Sequence, residues 1–203
     1  MLKDAIRLFF RKAEILIEHD ILGAARALFG KDKGIACILG TGCNSCFYDG
    51  ENIESKVSSV GYLFGDEGAG SYLGRTFMEK YLKNRLPSDL KNEFDEKYKL
   101  TLEDILNSVY NRPSPNRWLA SFSEFLAPLQ NHSFIRELVT ASFKAFIDEH
   151  ISKYDDYHVT PVSFVGSIAY YYQDILKETA LNEGIKIATI LKSPLEGLLE
   201  YHK

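Results

Sequence analysis

The sequence predicts an α/β fold, on three observations. Apolar runs at 35–39 and 162–165 each end in a glycine, as buried strands running into loops do. The stretch 35–58 reads as three short strands in succession, and from 162 onward strand and helix patterns alternate. At 203 residues, 45% of them apolar, the chain can bury a proper core as one domain or two small ones. Its 24 basic and 28 acidic residues give a net charge of -4, with no basic block to follow a phosphate backbone, so no nucleic-acid partner is expected. No apolar run approaches the ~20 residues of a membrane helix. Charges at Lys3, Asp4 and Arg7 break up any signal-peptide core, so the expected compartment is the cytoplasm, with no membrane partner.

Each element follows from its pattern. Ala5, Ile6, Phe9 and Phe10 make a short amphipathic helix over 3–10. Ile15, Leu16 and Ile17 are consistent with either a strand or a continuing helix. Asp20 precedes a helix over 21–29 that Gly30 terminates. A turn at 31–34 leads to strand 35–39, the Gly40-Thr41-Gly42 loop, a strand through Phe47 and Tyr48, a turn at Asp49-Gly50, and a strand near 53–58. Leu73, Phe77 and Tyr81 set a helix after Gly70. Thr101 to Asp104 reads as a capping box for a helix to about Tyr110, which Pro113 and Pro115 break. Patterns over 117–126 and 134–151 give two further helices, the second with Ile135, Leu138, Val139, Phe143, Phe146 and Ile147 on one face. Trp118, Phe122 and Phe125 read as core or interface, and the charges of 91–99 as a solvated face. Strand 162–165, a helix over 168–182 with Gly184 behind it, strand 186–191 and a helix starting at Pro194 complete the chain.

The chemistry concentrates between Gly34 and Gly70. Glycines let a loop bring its N–H groups close to an anion, and Thr41 adds a hydroxyl donor. Gly65-Asp66-Glu67-Gly68 places two carboxylates before a helix. Taken singly, Gly-Thr-Gly is a common hairpin turn and Asp66 an N-cap. Neither cluster fits the P-loop or the dinucleotide fingerprint. Cys43 and Cys46 have the spacing of a redox pair or of half a zinc site, but the five histidines show no paired metal spacing, and no metal ligands are assigned. The ordinary account makes Cys46, on the same strand face as Asn44, a small packing residue. Asp20 has two roles open to it: a helix cap, or a reactive carboxylate at a strand's carboxyl end, where α/β sheets bind ligands.

Three motifs in order, at 19–30 (HDILGAARALFG), 34–45 (GIACILGTGCNS) and 60–70 (VGYLFGDEGAG), resemble the N-acetylglucosamine kinase and BadF/BadG-type ATPase family of the actin-like, ribonuclease H-like superfamily. The likeness extends more loosely through 164–167 and 193–197. It implies a ribonuclease H-like (actin-like ATPase) C-terminal lobe over 31–203 with a helical insertion at about 70–157, preceded over 1–30 by the last strand and helix of an N-terminal lobe. It also tips 15–17 to strand. The family's first phosphate loop has no counterpart before Asp20, so the missing strands are expected from elsewhere, from a homodimer or from a partner supplying that lobe.

The resemblance further implies an ATP-dependent kinase for N-acetylglucosamine or a related amino sugar, with ATP and Mg²⁺ as cofactors, and weak or no activity is expected unless the missing lobe is supplied. Asp20 would be the general base. Gly40, Thr41 and Gly42 would meet the ATP phosphates, and Gly166 with Ser167 the adenine side. Asn44, with Cys43 beside it where related kinases often have Ser, would face the sugar, as would Gly61 and Asp66, the latter as a bidentate acceptor. Glu67 would remain a helix-dipole partner. Two alternatives are a non-catalytic sugar-binding or regulatory module and an ATPase that drives a partner enzyme. The crowding of the cysteines at the loop counts against the second, because such activators bridge an iron–sulfur cluster between subunits.

Overall fold

The computed structural model describes residues 2–57 and 59–203. Helices α1 (Leu2–Phe9) and α2 (Asp20–Phe29) lead into three strands, β1 (Gly34–Leu39), β2 (Cys43–Tyr48) and β3 (Ile53–Val57). A helical region follows: α3 (Gly61–Phe64), α4 (Gly70–Leu82), α5 (Ser88–Tyr98), α6 (Leu102–Tyr110), α7 (Pro115–Ser121), α8 (Ser123–Leu126) and α9 (Ser133–Glu149). The chain closes with β4 (Val162–Val165), α10 (Ser167–Tyr171), α11 (Gln173–Asn182), β5 (Ile187–Leu191) and α12 (Leu195–Tyr201). The expected third strand stops at Val57; its last expected residue, Ser58, lies outside the described residues.

The strands form one mixed sheet in the order β3-β2-β1-β4-β5. β1 pairs antiparallel with β2, Leu39 opposite Cys43, so only three residues connect them. On its other side β1 runs parallel to β4, and β4 parallel to β5. The central position of β1 explains why its sequence is apolar at every step from Ile35 to Leu39: both of its faces are covered. On one face Ile35, Cys37 and Leu39 join Val162, Phe164 and the helical region in the main core. On the other, Ala36, Cys46, Tyr48 and Val165 pack against Ile21, Leu22, Ala24 and Ala25 of α2. The sheet therefore lies between two helical layers.

The helical region has its own centre at Phe94, fully buried against Phe77, Tyr81, Tyr98, Phe122 and Phe125 at ring-centroid distances from 4.7 to 5.6 Å. The capping box forms, with Asp104 N–H donated to Thr101 Oγ1 and Thr101 N–H to the Asp104 carboxylate. Pro115 opens α7 as its first residue, where the missing N–H costs nothing. The single helix expected over 117–126 is two, because Ser121 and Ser123 hydroxyls bond back to the carbonyls of Trp118 and Ala120 at the break. The helix expected over 168–182 is likewise divided at Tyr172, which turns inward and donates its hydroxyl to the Ser123 carbonyl.

The expected strand at 15–17 does not form. The segment is irregular, with Ile15 buried but Leu16 and Ile17 74% and 47% exposed. A strand requires a neighbour to take up its N–H and C=O groups, and the sheet ends at β3 and β5.

Candidate functional site

The carboxyl ends of β1 and β4 meet at the glycine loop. The loop is tied down from one side: Gly70 N–H donates to the Gly40 carbonyl at 2.8 Å and Ser71 N–H to that of Thr41 at 3.0 Å, while Gly40 N–H closes on Gly42 O at 3.0 Å. Among the described residues, the N–H groups of Thr41 and Gly42 have no protein acceptor, and the Thr41 side chain is exposed. Two main-chain donors and one hydroxyl at a strand's carboxyl end are the set an anionic oxygen takes. Gly166 reaches the same place from β4. Its φ is +130°, and a Cβ there would stand 2.2 Å from the Leu39 carbonyl oxygen, so no side chain can occupy it. Ser167 next to it is exposed and lines a cleft of about 340 Å³ with Ser123, Glu124, Tyr171 and Tyr172.

Asp66 is buried beneath the loop in a left-handed conformation, φ +60°, which Asp tolerates better than most residues. Its Oδ1 accepts the Cys43 N–H at 3.3 Å and the Ser59 hydroxyl at 3.4 Å; its Oδ2 accepts the Ser71 hydroxyl at 3.2 Å. Both oxygens would be 3.0 Å from a Cβ on Gly42, so that glycine is what allows the close approach. An ionised carboxylate has about four acceptor positions. Three are taken inside the protein, which leaves Asp66 room for one ligand hydroxyl and for a second only if exposed Ser59 gives way. The structure thus brings Gly40, Thr41, Gly42, Cys43, Asp66 and Gly166 together. Gly61, with φ +75°, joins through its N–H on Ser59 Oγ at 3.4 Å.

Asp20 and Asn44 belong to the other face of the sheet. Alternation along β2 puts Asn44 on the side of Cys46 and Tyr48, which α2 covers. α2 returns into β1 through a short turn, so helix and strand run in opposite directions. α2 therefore begins, at Asp20, toward the end of the sheet where β1 runs into the glycine loop. Asp20 is exposed. It is the first helical residue rather than the cap: His19 holds the cap position without a side-chain bond, and the Asp20 Oδ1 accepts only Ile21 N–H, at 2.8 Å. Asn44 is half-buried, its Oδ1 on Ser45 N–H at 3.0 Å.

Sequence reasoning missed the groups behind the loop. His150, at the C-terminus of α9, is buried with its ring stacked on Phe146, and its Nε2 lies 3.4 Å from Cys43 Sγ and 3.8 Å from Glu67 Oε2. Burial holds the imidazole below its ordinary pKa, with Glu149 and Asp66 acting in the other direction. Burial, then Asp66 and Glu67, push the Cys43 thiol up. Cys46 is pushed up to about 12, also by burial, from the opposite face of the sheet. Three residues apart on a strand, Cys43 and Cys46 point to opposite sides, so they are no redox pair. The only sequence signal for His150 was a polar residue four positions after Phe146 on the apolar face of α9, 107 residues from its partner.

Sheet order and loop together define an α/β protein whose mixed five-stranded sheet is that of the actin-like fold. No protein-family model matches the chain, and no curated protein does. Among solved structures, the putative N-acetylglucosamine kinase of Porphyromonas gingivalis is similar at 42% identity and a TM-score of 0.96, over 100% of this chain and 71% of that one. The putative N-acetylglucosamine kinase of Chromobacterium violaceum shares the fold at 16% identity and a TM-score of 0.64, over 90% of this chain and 63% of that one. The chain belongs to the family of the Porphyromonas protein. Among the described residues no helix is long and apolar enough to cross a membrane.

Proposed function

We propose that the chain serves ATP-dependent phosphorylation of N-acetylglucosamine or a related amino sugar. The observation that carries this reading is the loop held over Asp66: it presents phosphate donors on one side and a sugar-hydroxyl acceptor on the other, in a chain 42% identical to a protein described as such a kinase. Residues 31–203 would be the C-terminal lobe of the actin-like pair and 1–30 the remnant of the other lobe, with α2 lying against the sheet of the first. Thr41 and Gly42 would hold the phosphates and Gly166 with Ser167 the adenine side; when bound, Mg-ATP supplies the phosphoryl group and the charge neutralisation it needs. Asn44 from one face of the sheet and Asp66 from the other would have to meet the sugar at the loop edge, with the backbone at Gly61 closing that wall.

Asp20 would take the proton from the attacking hydroxyl. Its Oδ2 has no partner among the described residues, and it opens α2, the helix on the face of the sheet that carries Asn44. Calorimetric titration with N-acetylglucosamine and then Mg-ATP tests this, in the wild type, Asn44→Ala and Asp20→Asn. Sugar heat lost in Asn44→Ala, and, once the missing lobe is supplied, turnover lost in Asp20→Asn with sugar heat kept, are the expected results. ATP heat with no heat from any amino sugar would sink the sugar assignment.

A further inference from the structure

Behind the glycine loop three groups that bind metals converge from distant parts of the chain. Cys43 Sγ at the start of β2, His150 Nε2 at the end of α9 and a Glu67 carboxylate oxygen lie within 4.8 Å of one another. Around a tetrahedral zinc ion, with bonds of ~2.3 Å to sulfur and ~2.0–2.1 Å to nitrogen or oxygen, ligand atoms stand about 3.3–3.6 Å apart. The Cys43–His150 separation of 3.4 Å is already at that spacing, and the 3.8 Å from His150 to Glu67 needs a shift of a few tenths of an ångström.

We propose that Cys43, Glu67 and His150 form a site for a thiophilic divalent cation of the zinc type, with water as the fourth ligand. The donor set selects the ion class: thiolate, imidazole and one carboxylate suit zinc, whereas magnesium and calcium take oxygen. A separate feature supports it. The far side of the His150 ring is fixed, with Nδ1 3.3 Å from Ser45 Oγ and that oxygen 2.7 Å from Tyr154 Oη, which also accepts the Val57 N–H at 3.1 Å. With Nδ1–H donated to Ser45, the Nε2 lone pair points to Cys43 and Glu67, and metal-binding histidines are held by such a bond on their other nitrogen. Phe146 against the ring face limits its rotation. On binding, the Cys43 S–H bond breaks, its proton leaves to solvent and the sulfur's electron pair goes to the ion. The ion would join β2, α9 and the turn carrying Asp66, directly behind the loop.

The test is titration of the metal-free chain with Co²⁺, followed by displacement with Zn²⁺. It needs no sugar or nucleotide, so its outcome is independent of the kinase reading. Expected are one Co²⁺ per chain, thiolate-to-cobalt absorption with the intense visible bands of a tetrahedral site, and loss of both on adding one equivalent of Zn²⁺. Cys43→Ser should abolish the thiolate band and Cys46→Ser should keep it. Glu67→Gln, at a partly exposed side chain that the fold can lose, should weaken affinity about 10–100-fold. Cobalt X-ray absorption on the wild type should find one sulfur neighbour, a result that does not depend on any variant folding. Absence of a sulfur neighbour, or a thiolate band that survives in Cys43→Ser, would overturn the proposal.

Discussion

Replacing Asp66 by Ala removes the group that ties the glycine loop to the turn below it. Hydrogen bonds to a charged group contribute ~1.5–3 kcal/mol each, and those from Cys43 N–H and Ser71 Oγ, at 3.3 and 3.2 Å, belong at the low end. The bond from exposed Ser59 adds little. Alanine at φ +60° costs about 1 kcal/mol more. The sum is a loss of about 4 kcal/mol. An asparagine side chain there would keep the left-handed conformation, accept the Cys43 N–H through its oxygen and donate to Ser71 Oγ through its amide, so Asp66→Asn should cost only about 1 kcal/mol. For a chain of this size 1 kcal/mol moves Tm by ~2–4 °C, so the variants should melt about 8–16 °C and 2–4 °C below wild type. Urea unfolding of each variant followed by Trp118, the only tryptophan and packed edge-on against Phe122, reads the stability loss and the m-value together. An Asp66→Ala protein within about 1 kcal/mol of wild type, at unchanged m-value, would refute the claim that this carboxylate holds the loop. The pair also separates two meanings of lost sugar binding: loss in Asp66→Asn reports the site, whereas loss in Asp66→Ala alone reports a collapsed loop.

Gly166→Ala must move a Cβ that would otherwise sit 2.2 Å from a backbone oxygen, so a loss of at least ~3 kcal/mol is expected in the same urea assay; a variant as stable as wild type would mean that β4 is free to withdraw from β1. Phe94→Ala empties the centre of the aromatic cluster and should cost ~3–5 kcal/mol, checked by calorimetric melting. The Asp95 carboxyl is held below its ordinary range by bonds from Lys91 and Tyr81, so it should titrate below the usual aspartate range in carbon-detected NMR, and Tyr81→Phe should bring it up. Because its folded pKa lies below the unfolded value of ~3.9, the stability it contributes is present above that pH and lost as pH falls through the folded value.

What was legible in the sequence was whatever one element states by itself. The apolar runs of β1 and β4, the helix-ending Gly30, the capping box at Thr101 and the apolar face of α9 each arise from neighbours in sequence, and each is found at or within a residue or two of its expected position. Apart from the α7–α8 break, where serine hydroxyls bond three residues back, the errors fall where a distant group decides. Residues 15–17 have the composition of a strand, but composition cannot supply the partner that makes one, and the chain leaves them irregular. The break at Tyr172 depends on a carbonyl 49 residues away. At the site the same rule separates the residues. Gly40, Thr41 and Asp66 could be named because glycine clusters and paired carboxylates are local patterns, yet what Asp66 does was invisible, since its three partners come from positions 43, 59 and 71. Expected as a bidentate ligand for sugar hydroxyls, it proves to be mostly committed to the protein's own donors. A site whose acceptor also holds its loop in place couples affinity to stability, so under the proposed function a change that loosens the hold on the Cys43 N–H would be felt at both the phosphate and the sugar side.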